Sequence, residues 1–204
     1  MIRYSTTLAR AAFAAAFFTF VTAAAVSAQP ATTPSPTAPA TAAPAAAAQA
    51  APAPEPRKED VASMDAIIAA LYDVISGPAG QARDWDRFRS LFVSGARLIP
   101  TGRTPEGVAR ITVSDPDGYI ARSGNALSQG FFEKEVARKV DRFGGIAHVF
   151  STYEARRKAD DTQLLARGIN SIQLFNDGKR WWIVSIYWQA ERPDSQIPAE
   201  YLPK

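Results

Sequence analysis

Arg167-Gly168-Ile169-Asn170-Ser171-Ile172-Gln173-Leu174-Phe175-Asn176-Asp177-Gly178-Lys179-Arg180-Trp181-Trp182-Ile183-Val184-Ser185-Ile186-Tyr187-Trp188 is the stretch that decides the fold. It holds two β-rich runs around Asp-Gly, which predicts a hairpin with Asp177-Gly178 as a two-residue type I′ loop. Asn176 then faces Lys179. Leu174 pairs with Trp181, Ile172 with Ile183 and Asn170 with Ser185. On the opposite face Gln173 pairs with Trp182, Ser171 with Val184 and Ile169 with Ile186. Side chains alternate along a strand, so both faces are assigned together. One carries Ile172, Leu174, Trp181, Ile183 and Tyr187, and the other Trp182, Val184, Ile186 and Trp188. Two apolar faces call for two covers, and a sheet wet on one side would not have them.

Working back along the chain, Phe131–Arg142, Ile146–Arg157, Gln163–Phe175 and Arg180–Glu191 read as four long strands. They are separated by turns at Gly144-Gly145, Lys158–Asp161 and Asn176–Lys179, so they form an antiparallel meander. Before them, Met64, Ile67, Ile68, Leu71, Tyr72 and Ile75 recur at helical spacing and end at Gly77-Pro78. Asp84 caps a second helix whose stripe is Trp85, Phe88, Leu91 and Phe92, stopped by Gly95. Arg97-Leu98-Ile99 and Val108–Val113 read as short strands. Ser114-Asp115-Pro116-Asp117 opens a third helix running to Leu127. Helices ahead of an antiparallel sheet predict an α+β domain with the helices over one face. The simplest cover for the other face is a second copy of the chain.

The first 57 residues read differently. Arg3 and Arg10 precede an apolar Ala11–Val26 run, and Val26-Ser27-Ala28 offers small residues at a cleavage position. Residues 1–28 therefore read as a signal peptide rather than a membrane anchor, since the run is Ala-rich and short for a span. No later segment reads as a span, so the expectation is an exported, periplasmic or secreted protein with no stable membrane insertion after cleavage. Residues 29–57 hold eight of the 15 prolines among Ala and Thr. They cannot bury enough surface to offset chain entropy and read as a disordered linker, a spacer or a segment touching the cell-wall layer. Residues 58–204 form the domain.

From Lys58 onward 20 basic residues face 19 acidic ones, a net of +1. That balance argues against a nucleic-acid partner that needs a basic face. There is no cysteine, which excludes disulfides, thiolate metal sites and Cys nucleophiles. A single histidine, His148, excludes multi-His metal sites. No metal or organic cofactor is implied.

The layout resembles the nuclear transport factor 2-like (SnoaL-like, cystatin-like) superfamily, in particular exported bacterial members. The resemblance rests on Asp84–Phe88 with Leu91-Phe92, on Phe143–Glu154, on Arg167–Leu174 and on Asp177–Val184, and spans about residues 59 to 192. It implies a cone-shaped curved antiparallel sheet, four long strands plus short ones, wrapped around three helices, with an apolar pocket at the wide end. It also implies dimers through the outer face. Members include isomerases, dehydratases, hydrolases and polyketide cyclases as well as binding or assembly modules, so fold alone does not assign function.

The site candidates follow from residue chemistry. His148 titrates near neutral pH and, with Gly144-Gly145 as the turn, lies across from Asp141, which would hold it as a general base; otherwise it is an inert strand histidine. Glu133 and Glu135 share one strand face. Burial would raise the pKa of either, whereas Lys134, Arg138 and Lys139 nearby suit a solvated face. Asn170 and Ser185 form a polar pair with Tyr187 two residues on, as ligand-orienting groups or as an internal hydrogen-bonded pair. Binding candidates are thus Tyr72, His148, Asn170, Ser185 and Tyr187. Dimer-interface candidates are Ser171, Gln173, Trp182, Val184, Ile186 and Trp188. Aromatics on a two-sided sheet are more often core and interface than ligand platforms. Arg156-Arg157-Lys158 reads as a solvated turn. The leading expectation is binding of a small, largely apolar molecule; the second is an isomerase, dehydratase or hydrolase; the third is a non-catalytic dimerisation or assembly module.

Overall fold

A computed structural model of the protein describes residues 53–204 apart from Pro105. The leader (1–28) and all but the last residues of the linker (29–57) lie outside the described residues. The elements are α1 (Lys58–Val61), α2 (Met64–Ile75), β1 (Gly77–Ala79), α3 (Trp85–Ser90), β2 (Phe92–Arg103), β3 (Ala109–Ile111), α4 (Pro116–Leu127), β4 (Gln129–Phe143), β5 (Ile146–Arg156), β6 (Ala166–Asn176) and β7 (Trp181–Ala190), then a 3-10 turn at Ala199–Tyr201. The fold is α+β: one curved, unclosed seven-stranded sheet in the order β1-β4-β5-β6-β7-β2-β3. Neighbours pair antiparallel except β2 and β7, which run parallel.

Helices α2, α3 and α4 each start where a short polar side chain caps them. Ser63 Oγ accepts from the Ala66 N–H at 3.0 Å, Asp84 Oδ1 from Arg87 at 2.9 Å, and Asp115 Oδ1 from Gly118 at 2.8 Å. Helix α2 buries Ile67, Ile68, Leu71, Tyr72 and Ile75 against the sheet, the stripe its spacing predicts. Phe88 joins the layers: its ring lies 5.3 Å from that of Tyr119 on α4 and 4.8 Å from that of Phe92.

Two arginines, one buried and one half-buried, fasten the helices. Arg83, 8 % exposed, donates to the carbonyls of Ile75, Gly77, Gln81 and Leu127 at 2.7–2.9 Å. It thereby binds the carbonyl-rich C-terminal ends of α2 and α4, where a cation is favoured. Gly77 has φ +156°, and a Cβ there would sit 2.7 Å from the Arg83 guanidinium, so the clasp needs a residue without a side chain. Arg87 grips buried Asp60 with two bonds of 2.7 and 2.8 Å and also donates to Asp73, tying α3 to α1 and α2.

The second helix is shorter than the sequence predicts. It ends at Ser90, and the chain enters β2 at Phe92, because Ile183 donates its N–H to the Leu91 carbonyl at 2.9 Å and draws the segment into the sheet. Gly95, at φ +79°, lies within the irregularity between Phe92 and Arg97.

The decisive hairpin also differs. Asn176 pairs with Trp181, leaving a four-residue turn, Asp177–Arg180, instead of a two-residue loop. Asp177 explains it: Oδ1 accepts from the N–H groups of Lys179 and Arg180, both at 2.8 Å, and Oδ2 from the Trp182 indole at 2.8 Å. The pairing slips by two residues, which preserves the faces. Leu174 meets Ile183. An extra residue at Val184 then bulges out, so that Ile172 meets Ile186 and Asn170 meets Trp188. Beyond the bulge the faces are the reverse of those predicted: Ile186 and Trp188 turn to the helices, and Tyr187, 48 % exposed, turns away.

The outer face is partly covered by the chain itself. The Thr152 hydroxyl donates to the Tyr201 carbonyl at 2.6 Å, the Phe150 and Tyr201 rings meet at 5.0 Å, and Lys139 pairs with Glu200 at 3.1 Å. Phe143, Ile146, Phe175 and Trp182 form one cross-strand row left beyond this segment.

Candidate functional site

Between α2, α3, α4 and the inner face of the sheet lies a cavity of about 320 Å³. Its wall is mostly apolar, with Leu71, Ile75, Phe88, Leu127, Phe131, Ile186 and Trp188 among the lining residues. Glu133 and Asn170 break the apolar surface, with Tyr119, Tyr153, Arg122 and Ser123. Strand β4 places Glu133 opposite Ala155, and alternation puts Glu135, opposite Tyr153, on the same face. The sequence pairing of these two glutamates on one face is what the register gives.

A polar chain runs inward from the surface. Arg138 donates to Asp65 at 2.6 Å and to Glu135 at 2.5 Å, and Ser151 donates to the other oxygen of Glu135. The Ser151 hydrogen is thereby committed, so the Tyr72 hydroxyl, 2.7 Å away, donates to Ser151 Oγ. Asn170 Nδ2 then supplies its two hydrogens to Tyr72 Oη at 3.1 Å and Glu133 Oε1 at 3.3 Å. Each donor is spoken for, which fixes the Asn170 amide and leaves Glu133 as the end of the chain facing the cavity.

Burial pushes the Glu133 carboxyl up to about 7, against the opposing hydrogen bond from Asn170. The phenols of Tyr72, Tyr119 and Tyr153 are all raised well above the usual tyrosine range, first by burial and then by the nearby Glu133 carboxylate. They stay neutral and keep their hydrogens. A carboxyl that is half-protonated near neutral pH, beside neutral phenols, can give or take a proton and donate hydrogen bonds to an oxygen that gains charge.

The sequence candidates separate into two groups. Tyr72, Glu133 and Asn170 meet in the polar chain, with Asn170 bonded to Tyr72 and not to Ser185. His148 does pair with Asp141 in the register, yet it stands on the outer face, where its Nε2 lies 2.9 Å from the Ser171 hydroxyl and its ring meets Phe150 edge-on. Ser185, beside Gln173, and Tyr187, beside Ser171, are also on the outer face because of the Val184 bulge. Ser171 and Tyr187 border a second hollow of about 270 Å³ under the C-terminal segment. Among the proposed interface residues, Ser171, Gln173, Trp182 and Val184 are outward; Ile186 and Trp188 are cavity wall.

Four polar cavity residues escaped the sequence reading: Tyr119, Arg122, Ser123 and Tyr153. A signal existed for the first three. Tyr119, Arg122, Ser123 and Ala126 follow i, i+3, i+4, i+7 and make a mixed polar face on α4. Tyr153 follows Ser151 by two on β5, on the inner face. Among the described residues no cluster of three or more His, Asp or Glu side chains is arranged to hold a metal ion.

No protein-family model matches the chain, and no curated protein matches it. Solved structures do. A cystatin-like-fold protein of unknown function from Nostoc punctiforme is 11 % identical, with 61 % of this chain and 86 % of that one covered and a TM-score of 0.47. An NTF2-like protein of unknown function from Pseudomonas putida is 10 % identical, with 66 % and 90 % covered and a TM-score of 0.47. An NTF2-like protein of unknown function from Silicibacter pomeroyi is 17 % identical, with 64 % and 94 % covered and a TM-score of 0.43. The neighbours are thus NTF2-like and cystatin-like proteins, the likeness stated from the sequence.

Proposed function

We propose that the chain is an exported protein whose domain binds a small, largely apolar molecule in the cavity, with Glu133 and Asn170 meeting the ligand's polar group. The observation that supports this is a carboxyl group on a mostly apolar wall, held by one hydrogen bond from Asn170. A buried polar group with unused hydrogen-bonding capacity favours a ligand that completes it. Native mass spectrometry of protein purified from its own host tests the reading. The expected result is a retained small molecule, absent from Ala166→Phe, which fills the cavity. Equal spectra from both proteins refute it.

A second reading, an acid–base enzyme of the isomerase, dehydratase or hydrolase kind, is favoured by Glu133 titrating near neutrality beside three phenols. In it Glu133, not His148, moves the proton. The assembly-module reading needs a cone filled by side chains, and the open cavity speaks against it.

Two further parts of the proposal stand on other observations. Export rests on the leader, and the mature N-terminus is expected at Gln29. A homodimer is supported by the row Phe143, Ile146, Phe175 and Trp182 beside Val184, of which Phe143 is 84 % exposed. Light scattering at micromolar concentration should give twice the chain mass, and Phe175→Glu with Val184→Glu should return it to one.

A further inference from the structure

The cavity has one cation on its wall, Arg122, and one carboxyl, Glu133. Arg122 is exposed on α4 and donates to the Ser114 hydroxyl at 3.1 Å; among the described residues no carboxylate pairs with it. Eight of the 15 described arginines have an acidic partner and seven do not; of those seven, Arg122 is the one on the cavity wall. The Arg122 charge also reaches the Tyr119 hydroxyl, where it opposes the rise caused by burial. It therefore acts on the cavity and not only on solvent.

We infer that the ligand is an amphipathic organic anion, its charged head at Arg122 and Ser123 and its largely apolar body inside the cavity, where the polar group that meets Glu133 and Asn170 is a second one. This deepens the binding reading above and rests on it. A guanidinium without an anionic partner, at the mouth of an apolar hollow, is matched by a carboxylate, sulfonate or similar group that accepts its N–H bonds. A cavity of about 320 Å³ suits a short-chain or single-ring body. Glu133 does not oppose the anion while it carries its proton, which it holds up to about pH 7. The groups facing Glu133 are Tyr72 from α2, Tyr119 from α4, Tyr153 from β5 and Asn170 from β6. The nearby charges are Arg122 and, along its own strand, Glu135.

Octanoate and octanol share a tail and differ in the head, so calorimetric titration of both into the purified protein tests the inference. At about pH 6 octanoate is expected to bind about tenfold tighter than octanol, and Arg122→Gln to remove that advantage while octanol affinity stays within about twofold. Arg122→Lys should restore part of the preference, which lost packing alone would not explain. Equal binding of the two probes, or an equal loss of both in Arg122→Gln, overturns the anion inference and leaves the cavity reading standing. Binding of neither probe to the unaltered protein overturns both.

Discussion

Glu133→Gln should stabilise the protein, and by an amount that grows with pH. Glutamine keeps the shape and can still accept from Asn170, but it cannot ionise. In the unfolded chain Glu133 loses its proton near 4.5; in the fold it keeps it until about 7. Below 4.5 both states are protonated and the residue imposes no pH-dependent penalty. Between these values the unfolded chain holds fewer protons than the fold, so stability falls as pH rises; above about 7 both states are ionised and the loss is complete. The gap corresponds to about 3 kcal/mol, a large share of the ~5–15 kcal/mol that holds a domain together. Urea unfolding of both proteins from about pH 4 to pH 8 measures it, and every other titrating group cancels in the difference. The difference between the two proteins should widen through that window and then level off. A separation that stays constant across the range refutes the reasoning, because Glu133 would then be ionising alike in both states.

Other outcomes can be measured in parallel. Replacing Asn170 with Leu removes the bond that favours the Glu133 carboxylate, so its titration, followed by carboxyl-carbon NMR, should move upward. Arg83→Met strips the C-terminal ends of α2 and α4 of their shared donor and should cost about 3 kcal/mol in urea unfolding. Asp60→Asn should cost about 2 kcal/mol at neutral pH. Because Arg87 holds Asp60 below its ordinary value, that contribution is present above the unfolded pKa and disappears as pH falls through the folded one, so the two proteins should converge in acid. Gly168→Ala would push a methyl into the Tyr153 hydroxyl and the Gln189 carbonyl, for a loss of about 1–3 kcal/mol and a weaker hold on cavity probes.

Periodicity carried most of the architecture. Ile67, Ile68, Leu71 and Ile75 can only be one face of a helix. The four C-terminal runs alternate between turns rich in Gly, Asp and Asn, which leaves a meander as the economical solution. Local pattern does not report pairing partners, so the parallel match of β2 with β7 was invisible, and Phe92 read as helix until Ile183 claimed the neighbouring carbonyl. Nor does it report bulges: Trp182-Ile183-Val184-Ser185-Ile186 alternates as well with one residue extruded as without, and the choice is made by packing. The site was legible where it depended on two strand faces, Glu133 with Glu135 and Asn170 on β6. It was illegible where it depended on α4, whose Tyr119 and Arg122 sit on a face too polar to look like a wall.

The extruded Val184 also means that what lines the cavity is decided by counting rather than by residue type. With it, an indole closes the hollow and the phenol of Tyr187 lies outside under the tail. Were that one residue taken back into the ladder rather than extruded, the alternation would run on unbroken: Tyr187 would swing in, Trp188 would swing out, and the same side chains would furnish a hydroxylated chamber in place of a greasy one.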